Sequence, residues 1–294
     1  MAQYTLLQPL TLNSCAQQPH VHLARTIHSN DPIVIKWLDD QASAVEQCWF
    51  KQELKVVQHL TSVCHYSYCL PVLDVGHNEL LLSQFMGEAK SPCQEYFATH
   101  YLVMPYVKQD SLAAALTKKP YNLSDIQCIF MQLIDAVEAL HTCGWLHLDL
   151  KPSNILLVHD TCGVDTLAAD QRLVLIDFAL AQCMNSQGNQ PKHDAMTQGT
   201  PKYMSPEQFL AQPLNHQTDF YAIGLILYEL LIGRLPFHAN TYQQWAIQHC
   251  QQAVPLLPSS LNRFQMLIDG LLAKDRQHRI QTMKEIRELA HNAF

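Results

Sequence analysis

The sequence predicts a bilobal α+β fold, a small β-rich lobe with one helix followed by a larger α-helical lobe. Three observations predict it. The first hundred residues alternate short apolar runs with polar breaks, as strands do. Within them a single segment, about Ala42 to Leu60, has its apolar residues at three- and four-residue steps. From about Leu123 the apolar runs lengthen and take on the character of buried helices.

Taken in order, Pro32-Ile33-Val34-Ile35-Lys36-Trp37-Leu38 is the clearest strand. In the helical segment Val45, Cys48, Trp49, Val56, Val57 and Leu60 make one apolar face. The join between lobes falls near Met104-Pro105-Tyr106-Val107, where a strand ends and polar residues begin, giving one lobe over about 1–105 and the other over about 106–294. Two mixed stretches, Gly76 to His100 and His159 to Gln171, are expected to be long connections. Ile126 to His141, Phe220 to Ile232, Phe264 to Leu272 and Met283 to Leu289 are the expected helices of the second lobe.

Composition narrows the function. A chain of 294 residues with 48% hydrophobic and 15% charged residues can bury a substantial core. A formal charge of −7 with scattered Lys and Arg argues against nucleic acid and slightly favours basic partners. Met1 to Leu7 lacks the basic start and apolar run of a signal peptide, and Ile223 to Ile232 is too short to span a bilayer, so no membrane anchor is expected. The ten cysteines are dispersed without a Cys-x-x-Cys pair and suit a reducing cytoplasm. Cys64, His65, Cys69 and His77 do not have the spacing of a zinc site.

The chemistry lies in His147-Leu148-Asp149-Leu150-Lys151-Pro152-Ser153-Asn154, which sets an acid, a cation and a carboxamide at offsets suited to a hydroxyl, a phosphate and a metal ion. Asp177, closing the apolar run Leu173 to Ile176, adds a second acid. Together they read as a phosphoryl-transfer centre. Ile155-Leu156-Leu157 and Leu173 to Ile176 are expected to pair as strands that hold Asn154 and Asp177 rigidly.

With Val34-Ile35-Lys36, Glu53, Asp177-Phe178-Ala179, Gly199-Thr200-Pro201 through Pro206-Glu207, Asp219, Gly224 and Arg279 in this order, the chain resembles a Ser/Thr protein kinase catalytic domain over nearly its whole length. The compact layout is similar to bacterial members of that family. The resemblance implies ATP and Mg2+ as cofactors and protein Ser/Thr hydroxyls as substrates. It implies that Lys36 meets the α- and β-phosphates with Glu53 as its partner; Glu46 is the other candidate, two turns earlier. Asp149 would accept the substrate proton, Lys151 would steady the transferring group, and Asn154 and Asp177 would hold the metal. Thr200 with Lys151 resembles the Ser/Thr-specific pattern. Val21, Val34 and Met104 would line an adenine pocket floored by Leu156, with the Pro105 carbonyl and the Val107 N–H at the adenine edge. Glu207 with Arg279 resembles a structural ion pair, and Asp219 a brace for the catalytic loop. Gln182 to Gln198 resembles an activation loop.

Three departures stand out. The glycine positions of the phosphate-covering loop hold Ser14, Ala16 and Pro19, at a cost of roughly 1.5–3 kcal/mol per lost contact at most. Ala179 replaces a glycine, which would add roughly 1–2 kcal/mol if that residue had to be left-handed. Leu148 stands where many kinases carry the arginine that binds a phosphorylated loop, so phosphorylation of Ser186 or Thr197 would have a weaker structural effect. The expected function is an ATP-dependent Ser/Thr kinase, with a regulatory protein partner supplying its signal. The alternative, motivated by the missing glycines, is a pseudokinase that binds ATP as an interaction module.

Overall fold

The computed structural model describes the chain except residues 1–3, 11–18, 27–30, 65, 85–93, 108–109, 119, 160–170 and 185–199. Ser14, Ala16, Ser186, Thr197 and Gly199 therefore lie outside the described residues. The chain divides into two compact units, Met1–Lys108 and Gln109–Phe294.

The first unit is built on strands β1 (Tyr4–Pro9), β2 (His20–Thr26) and β3 (Pro32–Leu38), helix α1 (Ala44–Ser62), and strands β4 (Asp74–Gln84) and β5 (Gln94–Pro105). The strands close into a barrel in the order β1-β2-β3-β5-β4, with β1 running parallel to β4. Inside it pack Tyr4, Leu6, Ala24, Ile33, Ile35, Trp37, Ala98 and Val103. The period of two turns Leu38 and Leu102 to the other face, where Phe50 and Leu54 of α1 cover them. β3 is thus buried on both faces, which is why it reads as a nearly unbroken apolar run.

Two expectations need correction here. Gly76 to His100 is not a connection, because most of it forms β4 and β5, which pair antiparallel. Backbone pairing within a closed sheet overrides the mixed polarity of these residues. The buried residues of α1 are Phe50, Glu53, Leu54, Val56, Val57 and Leu60, so Val56, Val57 and Leu60 lie inside as expected, while Cys48 is exposed and Val45 and Trp49 are only half-buried. Steps of three and four from Phe50 put an acid inside the apolar face, where hydrophobicity alone does not place it.

The second unit contains α2 (Leu112–Lys118), α3 (Leu123–Thr142), β6 (Trp145–Leu146), β7 (Ile155–His159), β8 (Gln171–Leu175) and β9 (Gln182–Cys183). After these come α4 (Pro206–Phe209), α5 (His216–Ile232), α6 (Tyr242–Gln251), α7 (Gln265–Leu271) and α8 (Met283–Ala293). The core helix α5 is apolar on all sides and almost wholly buried. A Cβ added at Gly224 would stand 2.7 Å from Leu271 Cβ, so glycine permits the close approach of α5 to the end of α7. Gly233, at φ 78°, ends α5 in the left-handed conformation glycine adopts at little cost. β7 and β8 pair antiparallel with Ile155 opposite Leu175, and β6 pairs with β9. Strand ends flank the predicted connection after His159, whose residues 160–170 lie outside the described set.

Candidate active site

In the first unit the register sets Val21 opposite Lys36, and Val34 opposite Met104. The pleat then puts Val21, Val34, Lys36 and Met104 on one face, opposite to the barrel interior. Val21, Val34 and Met104 are half-buried. The Lys36 ammonium lies 2.6 Å from Glu53 Oε2, and both side chains are buried. A buried ammonium is tolerable when a carboxylate compensates it, and the glutamate inside the apolar face of α1 does so. Glu46 is engaged elsewhere. It closes a capping box in which the Ser43 N–H donates to Glu46 Oε2 at 2.8 Å. Pro105 ends β5 with no N–H to donate, the Tyr106 N–H bonds the Pro32 carbonyl at 3.2 Å, and Val107 follows half-buried.

In the second unit the loop after β6 is held by a residue far along the chain. Asp219, near the start of α5, accepts from the His147 N–H and the Leu148 N–H, each at 2.9 Å, and its Oδ2 lies 2.8 Å from His141 Nε2. Burial alone would raise the Asp219 carboxyl, but His141 and the backbone donors hold it below the usual carboxylate range. Leu148 sits at φ 64° with its side chain buried among Leu146, Leu214 and Met184. Its carbonyl accepts from Gln208 Nε2 at 2.9 Å, while Gln208 Oε1 accepts from the Ser205 N–H. His147 is fully buried and its ring is kept neutral by that burial.

On this braced loop, Lys151 Nζ donates to Asp149 Oδ2 at 2.6 Å and to Thr200 Oγ1 at 3.0 Å. Asn154 Nδ2 donates to the same carboxylate oxygen and to the Asp149 carbonyl, both at 3.0 Å. Among the described residues no group donates to Asp149 Oδ1, so one carboxylate oxygen is clamped and the other left open. Burial pushes the Asp149 carboxyl up, and the Lys151 ammonium offsets this only in part. The Asn154 carbonyl accepts from the Ile176 N–H at 3.0 Å, which ties the start of β7 to the end of β8 next to Asp177. Leu156 is opposite Val174 in this hairpin and forms a bridge with Ser111.

Asn154 uses its side-chain nitrogen on Asp149 and keeps its side-chain oxygen for an acceptor's role. With the Asp177 carboxylate it offers hard oxygen donors, the set that suits magnesium rather than a thiophilic metal. Asp177 is at φ 66°, and it and Leu148 are two of the three non-glycine residues at positive φ among the described residues. Such backbone strain, of order 1–3 kcal/mol each, is concentrated at this site. Ala179 is not among them. Its substitution for glycine therefore incurs no left-handed penalty in this conformation. Ala179→Gly is expected to destabilise the chain by about 0.4–1 kcal/mol through the freer unfolded chain, without raising activity. Thermal unfolding with a parallel transfer assay checks this.

Glu207 and Arg279, 72 residues apart, form a bidentate pair at 2.7 and 3.0 Å, fully buried. The predicted catalytic, nucleotide and metal residues thus have described positions, whereas Ser14 and Ala16 of the phosphate-covering loop do not. What sequence reasoning missed is the support: His141 on Asp219, and Gln208 on the Leu148 carbonyl. Gln208 had a signal, since Ser205-Pro206-Glu207-Gln208 has the Ser-x-x-Gln form of a capping box.

Similarity to known proteins bears on this site. The family model described as protein kinase domain matches residues 18–292. The chain is 29% identical over 278 residues to a probable serine/threonine-protein kinase of Clostridium perfringens, covering 90% of this chain and 35% of that protein. It is 28% identical over 263 residues to serine/threonine-protein kinase PksC of Streptomyces coelicolor (86% of this chain, 42% of that protein). It is 27% identical over 219 residues to serine/threonine-protein kinase PknB of Mycobacterium tuberculosis (72% and 33%). The chain thus spans well under half the length of these relatives.

Proposed function

This chain belongs to the protein kinase family, and on that premise we propose that it transfers the γ-phosphoryl group of Mg-ATP to Ser or Thr hydroxyls of protein substrates. One observation carries the reading: Asp149 has Oδ2 clamped by Lys151 and Asn154 while Oδ1 stays open, with Thr200 on the same lysine. A carboxylate held this way can accept the proton of an incoming hydroxyl without turning away from it. Lys151 is positioned to steady negative charge on the transferring group next to that carboxylate. Asn154 and Asp177 would hold Mg2+, which when bound neutralises phosphate charge. In the first unit Lys36, fixed by Glu53, would contact the α- and β-phosphates. Val21, Val34 and Met104 provide apolar surface for adenine there, with the Pro105 carbonyl and Val107 N–H for its polar edge.

Among the described residues no helix is long and apolar enough to cross a membrane. The described cysteines Cys48, Cys64, Cys69, Cys128, Cys143, Cys183 and Cys250 are free thiols, which supports a reducing, cytoplasmic setting. A regulatory protein partner would supply the signal.

The test is transfer of labelled phosphate from ATP to the protein itself or to a basic protein, with and without magnesium. Absence of any magnesium-dependent transfer by the purified chain would sink the proposal. A pH profile adds a second check. Asp149 must be ionised to act, and its carboxyl is raised, so activity is expected to fall on the acid side at higher pH than for an ordinary carboxylate. Lys151→Met removes a group that lowers Asp149, so the acid limb should move further up as kcat drops. A limb that stays in place would show that the ammonium does not set the ionisation of Asp149.

A further inference from the structure

Away from this site, the second unit holds a cavity of about 600 Å3 whose lining includes Glu207, Asn215, Gln217, Cys250, Lys274 and Arg276. Its most unusual wall residue is Lys274. The ammonium donates to the Tyr221 hydroxyl at 3.1 Å and lies 4.3 Å from the centre of the Phe237 ring, but no carboxylate reaches it among the described residues. Each nearby acid is committed elsewhere. Glu207 is held by both terminal nitrogens of Arg279, and Asp275 faces His278 at 3.2 Å. Cys250 bears on Lys274 from α6, yet burial raises that thiol and keeps it protonated. Arg279 adds a like charge, and burial with it brings the Lys274 amine down to about 8.

An aromatic face attracts a cation only weakly, less than the desolvation of a half-buried ammonium costs. The half-buried Lys274 ammonium thus has no opposite charge beside it among the described residues, and the cavity it lines provides room for an anion. Its amide-bearing wall residues Asn215 and Gln217, and the Arg276 side chain, suit polar oxygen atoms. We propose that this cavity binds a small oxyanion, a phosphate or carboxylate group, with Lys274 as its cationic anchor.

Thermal unfolding of the full chain, titrated separately with inorganic phosphate and with succinate, tests this and distinguishes a phosphate-bearing from a carboxylate-bearing ligand. A saturable rise in Tm is expected with one of them, as for any ligand that binds only the folded state. The rise should persist in Lys36→Met, which excludes the proposed nucleotide site, and in Lys274→Arg. It should vanish in Lys274→Met. Should Lys274→Met fail to fold, the wild-type chain decides: affinity should fall about tenfold as pH is raised well past the titration of Lys274, although phosphate itself becomes more negative. The proposal is overturned by an unchanged rise in Lys274→Met, by affinity that does not fall at high pH, or by no rise with either anion.

Discussion

Replacing Asp149 by Asn is expected to lower kcat for phosphoryl transfer by about 10²–10⁴-fold, the usual contribution of a positioned general base, with little change in Tm or in KM for ATP. The substitution preserves shape and keeps one acceptor oxygen for Lys151 and Asn154, which both donate to Oδ2. With that oxygen retained by its two donors, the new NH₂ occupies the place of Oδ1 and presents hydrogens where the substrate hydroxyl needs an acceptor. Steady-state kinetics with a Ser- or Thr-bearing substrate, alongside thermal unfolding, measures both halves of the expectation. Unchanged kcat would remove Asp149 from the reaction. A fall in Tm matching the fall in activity would recast it as a structural residue.

Arg279→Ala should destabilise the second unit by roughly 3–5 kcal/mol, the cost of leaving a buried charge unpaired, which corresponds to a fall in Tm on the order of 10 °C. The guanidinium does more than pair with Glu207. Its Nε donates to the Ala273 carbonyl at 3.0 Å and its Nη1 to the Gln217 carbonyl at 2.8 Å, so truncation also orphans backbone acceptors. The pH dependence has a definite sign. Burial tends to raise the Glu207 carboxyl, but Arg279 and Thr218 hold it below its usual range. A depressed folded value contributes stability that is present above the unfolded carboxylate's pKa and lost as pH falls through the folded one. In Arg279→Ala burial is opposed only by the hydrogen bonds from Thr218 and the backbone, Glu207 takes up a proton more readily, and the gap from wild type should narrow in acid. Denaturant unfolding at neutral and acid pH measures it; a change within about 0.5 kcal/mol at neutral pH, typical of a surface site, would refute it.

The centre of the site was legible because its chemistry is local. Asp149, Lys151 and Asn154 lie within six residues, and the apolar runs around them read directly as the strands that hold Asn154 and Asp177. Lys36 and Glu53 were legible for a different reason: each is a charged residue inside an apolar pattern, and each compensates the other. Asp219 was reachable only through the family pattern, since two of its partners are backbone N–H groups that residues of any type could supply and the third, His141, lies 78 residues away. The Leu148 carbonyl that Gln208 holds is invisible in sequence for the same reason. The face of α1 was misjudged at its start, where Val45 and Trp49 are only half-covered and Cys48 is exposed. Hydrophobicity reports what can be buried, whereas the neighbouring strands decide what is. The same limit hid β4 and β5 in Gly76 to His100, whose pairing rests on the backbone ladder.

The parallel seam between β1 and β4 has a consequence for how the protein behaves in a crowded solution. An open sheet ends in two rows of unpaired N–H and C=O groups, each a template on which another chain can add a strand. Here Tyr4, Thr5 and Leu6 pair with Leu82, Ser83 and Gln84, so these stretches of the two rows are consumed within the molecule. The short first strand thus acts as a closure. A chain trimmed past Pro9 would expose the flanks of β2 and β4 together, and self-association is the fate to expect of it.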